Sequence, residues 1–326
     1  MPVAAAVAAV AQGAPLNLLQ WNPHWQCFVR DEQGCKAEAE SSLSATLRQS
    51  DVDFANVVEL EDAYVPPGGW AAFRQQCGMD VTVLIYNSVR WRPSALGTNG
   101  CMLSGDRSFI VQQFDATVGG GRVIVAGAHY PHSGNKQRGA LRSAIASVVQ
   151  ATGVKAVVLL ADTNEDASVA SAAIAQDVGL PTGPVVSTAL ENTCCFDIGY
   201  VRPFDRIIAN FGGGMSTTVL LKPLPAWAQQ GQLHMPVLAS LAEAPAVAGK
   251  FRSLGRPGAS IPGGLRAPAS ALGSGVWAPR AAAATLLVLA LAAAVASLLL
   301  PLRHLSAPRA WTLLETEAEE GCSASE

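Results

Sequence analysis

The chain has 326 residues, 50% of them apolar and 14% charged, with a formal net charge of −3. So low a charged fraction in so apolar a chain excludes a mostly disordered protein, and the sign of the charge excludes a basic surface for gripping long polyanions. The charge is also unevenly spread: residues 1–240 carry 15 Lys/Arg against 19 Asp/Glu, residues 241–280 five against one, and residues 281–326 two against five.

The opening MPVAAAVAAVAQGAP has no basic residue and too short an apolar run for a secretory signal. From Leu16 onward, Val- and Ile-rich runs alternate with helical patterns. LNLLQWN, VDFANVVEL, DVTVLIY, FIVQQF, RVIVAGAHY, KAVVLLAD, FDRIIANF and TTVLLKP are predicted strands, and residues 36–49 and 136–152 are predicted helices. Strands apolar on both faces and separated by helices predict an α/β domain with a buried sheet, here over residues 16–240.

Residues 241–280, rich in Ala, Pro, Gly and Ser, show no helical or strand period and read as a flexible basic linker. Residues 281–300, AAAATLLVLALAAAVASLLL, hold no charge and would span about 30 Å as a helix, the thickness of a bilayer core. A single transmembrane helix is therefore predicted over 281–302, making the chain a single-pass membrane protein with a short acidic tail over 303–326. Arg266 and Arg280 precede the span and Arg303 and Arg309 follow it, so the flanks leave its sidedness open. Among the seven cysteines, Cys27 and Cys35 stand eight positions apart and Cys194 and Cys195 are adjacent. Disulfides and buried thiols are both compatible with these spacings, and none suggests zinc.

The informative pattern is where the apolar strands end. LNLLQWN ends in Asn22, FANVVE in Glu59, VIVAGAH in His129 and VVLLAD in Asp162, with Asn164 two residues on; Asp205 opens DRIIAN. Strand ends along one edge of a sheet are where α/β folds build sites. Carboxylates, amides and imidazoles make an inventory that suits Mg²⁺ or Mn²⁺ rather than zinc.

Taken in order, these strings resemble the endonuclease/exonuclease/phosphatase superfamily, the deoxyribonuclease I-like fold, over about residues 16–240. Trp21-Asn22 is similar to its first motif, Asp53 to Glu59 to its D-x₅-E strand, Ala128-His129 to its central histidine motif, and Ala161-Asp162-Thr163-Asn164 to its G/A-D-x-N motif. Phe204-Asp205-Arg206-Ile207-Ile208 matches Y/F-D-R-I, and His234-Met235-Pro236-Val237 is similar to the end of S-D-H-x-P-V. The resemblance implies a four-layer α/β sandwich of two packed mixed sheets flanked by helices. It implies a metal on Asn22 and Glu59, and catalytic roles for Asp162, Asn164, His129, His234 and Asp205. Asp80 falls where deoxyribonucleases place an acidic partner for the central histidine, and Arg107 near a phosphate-contacting arginine. His24 and His132 are further candidates for the same pocket, and Glu61 is an alternative to Glu59.

The chemistry such a set performs is hydrolysis of a phosphodiester or phosphomonoester, with a metal ion offsetting phosphoryl charge while water attacks in line. The implied partners are a phosphate-ester substrate, lipid or nucleic acid, and the membrane. One departure stands out: Leu233 replaces the aspartate that the family carries beside the metal. It motivates an alternative, a catalytically inactive, membrane-bound binding module on the same fold.

Overall fold

The computed structural model describes residues 15–24, 27, 35–60, 64–102, 106–132, 138–194, 201–220 and 234–242. The predicted span 281–302, the acidic tail, Leu233, Glu61, Cys195 and all of the linker beyond Ala242 lie outside the described residues. Among the described residues no helix is long and apolar enough to cross a membrane.

The described strands form two six-stranded sheets. In the first, β1 (Leu16–Trp21), β2 (Phe54–Val58), β3 (Trp70–Cys77), β4 (Asp80–Asn87), β11 (Gly214–Val219) and β12 (Val237–Ala242) lie in the order β11-β12-β1-β2-β4-β3. In the second, β5 (Trp91–Met102), β6 (Arg107–Ala116), β7 (Arg122–His129), β8 (Val157–Asp162), β9 (Val186–Ser187) and β10 (Asp205–Ala209) lie in the order β5-β6-β7-β8-β10-β9. Each sheet has a parallel pair at its centre, β1–β2 and β7–β8, flanked by antiparallel strands.

The period-two alternation of strand side chains decides the packing. Leu16, Leu18, Phe54 and Leu84 of the first sheet meet Phe114, Val123, Val125, Val158, Leu160 and Ile207 of the second. Phe54 packs tilted between Phe114 and Trp91, with ring centroids at 4.8 and 5.0 Å. The alternate residues face outward onto helices. Leu19, Trp21, Val57 and Val83 receive α1 (Cys35–Gln49), whose Cys35, Ala39, Leu43 and Leu47 recur every four residues as one buried stripe. Ile124, Ala126 and Leu159 receive α2 (Gly139–Thr152) through Leu141, Ile145 and Val148, and α3 (Ser171–Asp177) adds Ile174. The result is the predicted four-layer sandwich.

Four of the described strands went unpredicted for physical reasons, β9 because two residues are too short to carry a period. β3 and β5 are sheet edges whose side chains are mostly half-exposed or exposed, so they lack the apolar runs of the interior strands. β5 also carries Pro93, Gly97 and Gly100, tolerable only where one edge needs no partner. β12 alternates Val, Ala and Leu with half-exposed positions over only six residues. Disulfides join Cys27 to Cys35 and Cys77 to Cys101, the second linking β3 of one sheet to β5 of the other; Cys194 is disulfide-bonded as well.

Candidate active site

The central parallel pairs bring four strand ends to one end of the sandwich. β1 delivers Asn22 and β2 delivers Glu59 just past their last residues, while β7 and β8 end on His129 and Asp162. Antiparallel β4 and β10 begin there with Asp80 and Asp205, and His234 enters β12 from the same end. Register makes the clustering automatic: His129 and Asp205 are the cross-strand neighbours of Asp162 on its two sides. His234 is pinned by its backbone N–H on the Asn22 carbonyl (3.3 Å) and by the Trp21 indole N–H on its own carbonyl (3.0 Å).

The geometry is two imidazole–carboxylate pairs facing one carboxylate. His129 Nδ1 is 2.7 Å from Asp80 Oδ1, and His234 Nδ1 is 2.6 Å from Asp205 Oδ2. Asp162 Oδ2 lies between the pairs, 3.6 Å from His129 Nε2 and 3.6 Å from His234 Nδ1. The same oxygen accepts from Asn22 Nδ2 at 2.9 Å, and Oδ1 accepts the Asn164 backbone N–H at 3.1 Å. Asp80 is held in turn by the Ser108 backbone N–H (2.8 Å) and hydroxyl (2.7 Å). Glu59 Oε1 lies 4.0 Å from His129 Nδ1. Among the described residues, three of the four non-glycine residues with positive φ belong here: Glu59 (58°), Asn164 (46°) and His24 (71°). Asn and His tolerate that region; Glu does not favour it, and such strain gathers at functional sites.

Electrostatics keep the cluster polarised. Burial alone would push the Asp162 carboxyl up, but His234, His129 and the Asn22 amide outweigh it and hold it at about 2. Burial likewise opposes protonation of His234, yet Asp205 and Asp162 lift it to about 9. Burial and Asp162 push Asp205 up while His234 pulls it down. Gln20 Nε2, Thr193 Oγ1 and His234 Nδ1 all converge on it, and donors favour the carboxylate, so the shared proton rests on His234. Burial works against His129 too, but Asp80 raises it above the ordinary value. Burial pushes Glu59 up, and His24, His129 and Arg107 together bring it below the usual carboxylate range.

Two groups of three could each hold a metal ion: Glu59, Asp80 and His129, and Asp162, Asp205 and His234. Within each, however, the imidazole Nδ1 is already committed to its aspartate. The donors that suit a hard cation are oxygens, and Glu59, the Asn22 amide oxygen and Asp162 supply them. Four carboxylates crowded into this end of the fold fit a divalent cation.

All nine residues predicted for the site lie in this cluster. Arg107 is its rim cation, close enough to act electrostatically on Glu59, Asp80 and His129. Four of the chain's five histidines gather here: His132 is exposed with its ring edge-on to His129 at 6.3 Å, and His24, whose protonation burial disfavours, interacts electrostatically with Glu59, His234, His129 and Asp162. Two residues of the matched strings have other roles. Asp53 sits at the opposite end of β2, where it binds the Asn17 backbone N–H (2.9 Å) and the Trp91 indole (2.6 Å). Arg206 is buried and donates to the carbonyls of Pro203, Val169, Glu165 and Asp166, so it clamps the loop that follows Asn164. Sequence reasoning missed Gln20, Asn56 and Thr193, which support Asp205 from below. The first two were detectable as polar residues set among the apolar positions of LNLLQW and FANVV.

No protein-family model and no curated protein matches the sequence. Solved structures do match. An endonuclease/exonuclease/phosphatase family protein from Bacteroides thetaiotaomicron superposes with a TM-score of 0.54 at 15% identity, covering 71% of this chain and 98% of that one. The mannosyl-6-phosphatase of the same organism gives 0.52 at 13% identity over 69% and 98%. D. rerio TDP2 complexed with a single-strand DNA product gives 0.50 at 17% identity over 69% and 98%. The described domain has the fold that these endonuclease/exonuclease/phosphatase proteins share.

Proposed function

We propose that the chain is a divalent-metal-dependent phosphoesterase of the endonuclease/exonuclease/phosphatase superfamily, tethered to a membrane by a single helix within residues 281–302. The observation that carries the reading is Asp162 flanked by two imidazole–carboxylate pairs, each 3.6 Å away. Glu59 and Asn22 would hold Mg²⁺ or Mn²⁺. When bound, that ion offsets the negative charge on the phosphoryl oxygens and the leaving oxygen.

The chain's own residues do the rest. Asp162, kept ionised, accepts a hydrogen bond from the attacking water and aligns it with the phosphorus. A carboxylate that acidic contributes more by orientation than by basicity, and the proton the water loses leaves with the phosphate product. Asn164 holds Asp162 through its backbone N–H and anchors its Nδ2 on the Tyr130 carbonyl at 2.8 Å. An amide nitrogen carries two hydrogens, so the same group is proposed to contact a phosphoryl oxygen. His234, protonated against Asp205, donates to the phosphoryl group as negative charge builds there. His129, oriented by Asp80 through Nδ1, presents Nε2 toward Asp162 and protonates the leaving alkoxide. Arg107 adds positive charge at the rim for the substrate phosphate.

The substrate is a phosphate ester of a lipid or a nucleic acid. A sugar phosphatase and a protein bound to DNA share the fold, and a bilayer tether would raise the effective concentration of lipid substrates. The test is hydrolysis by the purified full-length protein, with Mg²⁺ or Mn²⁺, of sphingomyelin, phosphoinositides and plasmid DNA. Cleavage of DNA alone would remove the lipid option. Failure on every substrate, together with no Mn²⁺ binding, would leave the inactive binding module that Leu233 suggests. Carbonate extraction of membranes, comparing the full chain with one ending after Ala242, tests the tether.

A further inference from the structure

Beneath the cluster runs a relay of buried amides that the proposed chemistry does not use. Gln20 and Asn56 are both fully buried at 0% exposure and are cross-strand neighbours on the parallel β1–β2 pair. Asn56 Nδ2 donates to Gln20 Oε1 at 2.8 Å and to the Ala128 carbonyl at 3.4 Å. Gln20 Nε2 donates to Asp205 Oδ1 at 3.1 Å. The relay therefore leaves the second sheet beside His129, passes through two strands of the first, and returns to the second at the carboxylate that holds His234.

Its direction is fixed at the Ala128 end. A backbone carbonyl can only accept, so it dictates which way the Asn56 amide turns. Asn56 then presents a donor to Gln20, which turns the Gln20 amide so that its nitrogen faces Asp205. The arrangement has a price in burial: among the described residues Asn56 Oδ1 has no hydrogen-bond partner, lying over Gly127, where a Cβ would come within 2.3 Å of it. An orphaned acceptor in a sheet interior is rare, and an apolar pair of the same shape would avoid it.

We propose that Gln20 and Asn56 are positioning residues that lock Asp205 as an acceptor on both oxygens and so aim its Oδ2 at His234 Nδ1. The same chain of contacts ties the strand of His129 to the strand of Asp205, setting the gap across which the two imidazoles face Asp162. The kinetic consequence rests on the phosphoesterase reading; the geometric one does not.

The test uses full-length protein in detergent micelles, labelled with ¹⁵N-histidine. The far-downfield Nδ1–H resonance of His234 is assigned by its absence in His234→Asn. Gln20→Met, similar in volume but with no donor, is expected to shift or broaden that resonance and to lower kcat by about 10- to 100-fold, the scale seen when a functional histidine loses an orienting partner. KM is expected to stay within about threefold, because no substrate contact is removed. Asn56→Leu, one step further from Asp205, is expected to give a smaller shift in the same direction and keeps the test open if Gln20→Met does not fold. An unmoved His234 resonance in a folded variant of either kind overturns the proposal. A moved resonance in a protein that hydrolyses nothing upholds the positioning role and removes the phosphoesterase reading instead.

Discussion

The Asp205–His234 pair should make the domain's stability fall on the alkaline side of neutrality. His234 is lifted from its ordinary 6.5 to about 9, so the folded chain holds a proton that the unfolded chain releases. The sign follows from linkage: the contribution is complete below pH 6.5 and disappears as pH rises through about 9. At roughly 1.4 kcal/mol per tenfold change in proton affinity, the lift corresponds to about 3 kcal/mol. The perturbation to compare is the double variant Asp205→Asn with His234→Asn. It removes both charges at once, so no carboxylate is left buried without its partner. Urea unfolding of full-length protein, followed by tryptophan fluorescence at fixed ionic strength, would be run at pH 6, 7, 8, 9 and 10. The stability gap between wild type and variant should narrow by about 3 kcal/mol across that range. A gap that stays level, or widens with pH, would refute the claim that His234 carries the proton.

Asp162→Asn should lower kcat by about 10³-fold, since it places an amide nitrogen against donors and removes the water's acceptor; near-normal turnover of a phosphodiester would eliminate the mechanism. Mn²⁺ should raise the melting temperature of the wild-type protein, with about 2.7 kcal/mol of stabilisation at 100 times Kd, and Glu59→Gln should abolish that rise; an undiminished response would place the ion elsewhere. Arg206→Met strips donors from the carbonyls of Pro203, Val169, Glu165 and Asp166, and because only the Pro203 bond is fully buried, while water can reach the other carbonyls, the cost in a denaturant titration should be about 2 kcal/mol. A loss below about 1 kcal/mol would show that the loop after Asn164 does not depend on it.

What could be read in the sequence was whatever a strand announces by itself. Glu59, His129 and Asp162 each terminate an apolar run, and a polar residue in that place is conspicuous without any three-dimensional information. α1 was legible because Ala39, Leu43 and Leu47 repeat at helical spacing. The pairing of Asp80 with His129 was legible only through the family resemblance: the two lie 49 positions apart, no local pattern links them, and the ordering of strands in two stacked sheets brings them within 2.7 Å. Thr193 was invisible for the same reason, since a loop threonine has no local signature of what it will touch. Arg206 shows a different limit. The string around it was recognisable, yet the reason for the arginine, four backbone carbonyls needing donors, exists only once the loop has folded over it.

The antiparallel pairing of β1 with β12 places Leu16 opposite Leu241. β1 begins far from the cluster and finishes beside it, so β12, running the other way, starts next to His234 and ends at the remote pole. Ala242, the last described residue of β12, therefore lies at the pole of the sandwich opposite Asn22 and His234, and a bulky group joined to it would leave the cluster uncovered.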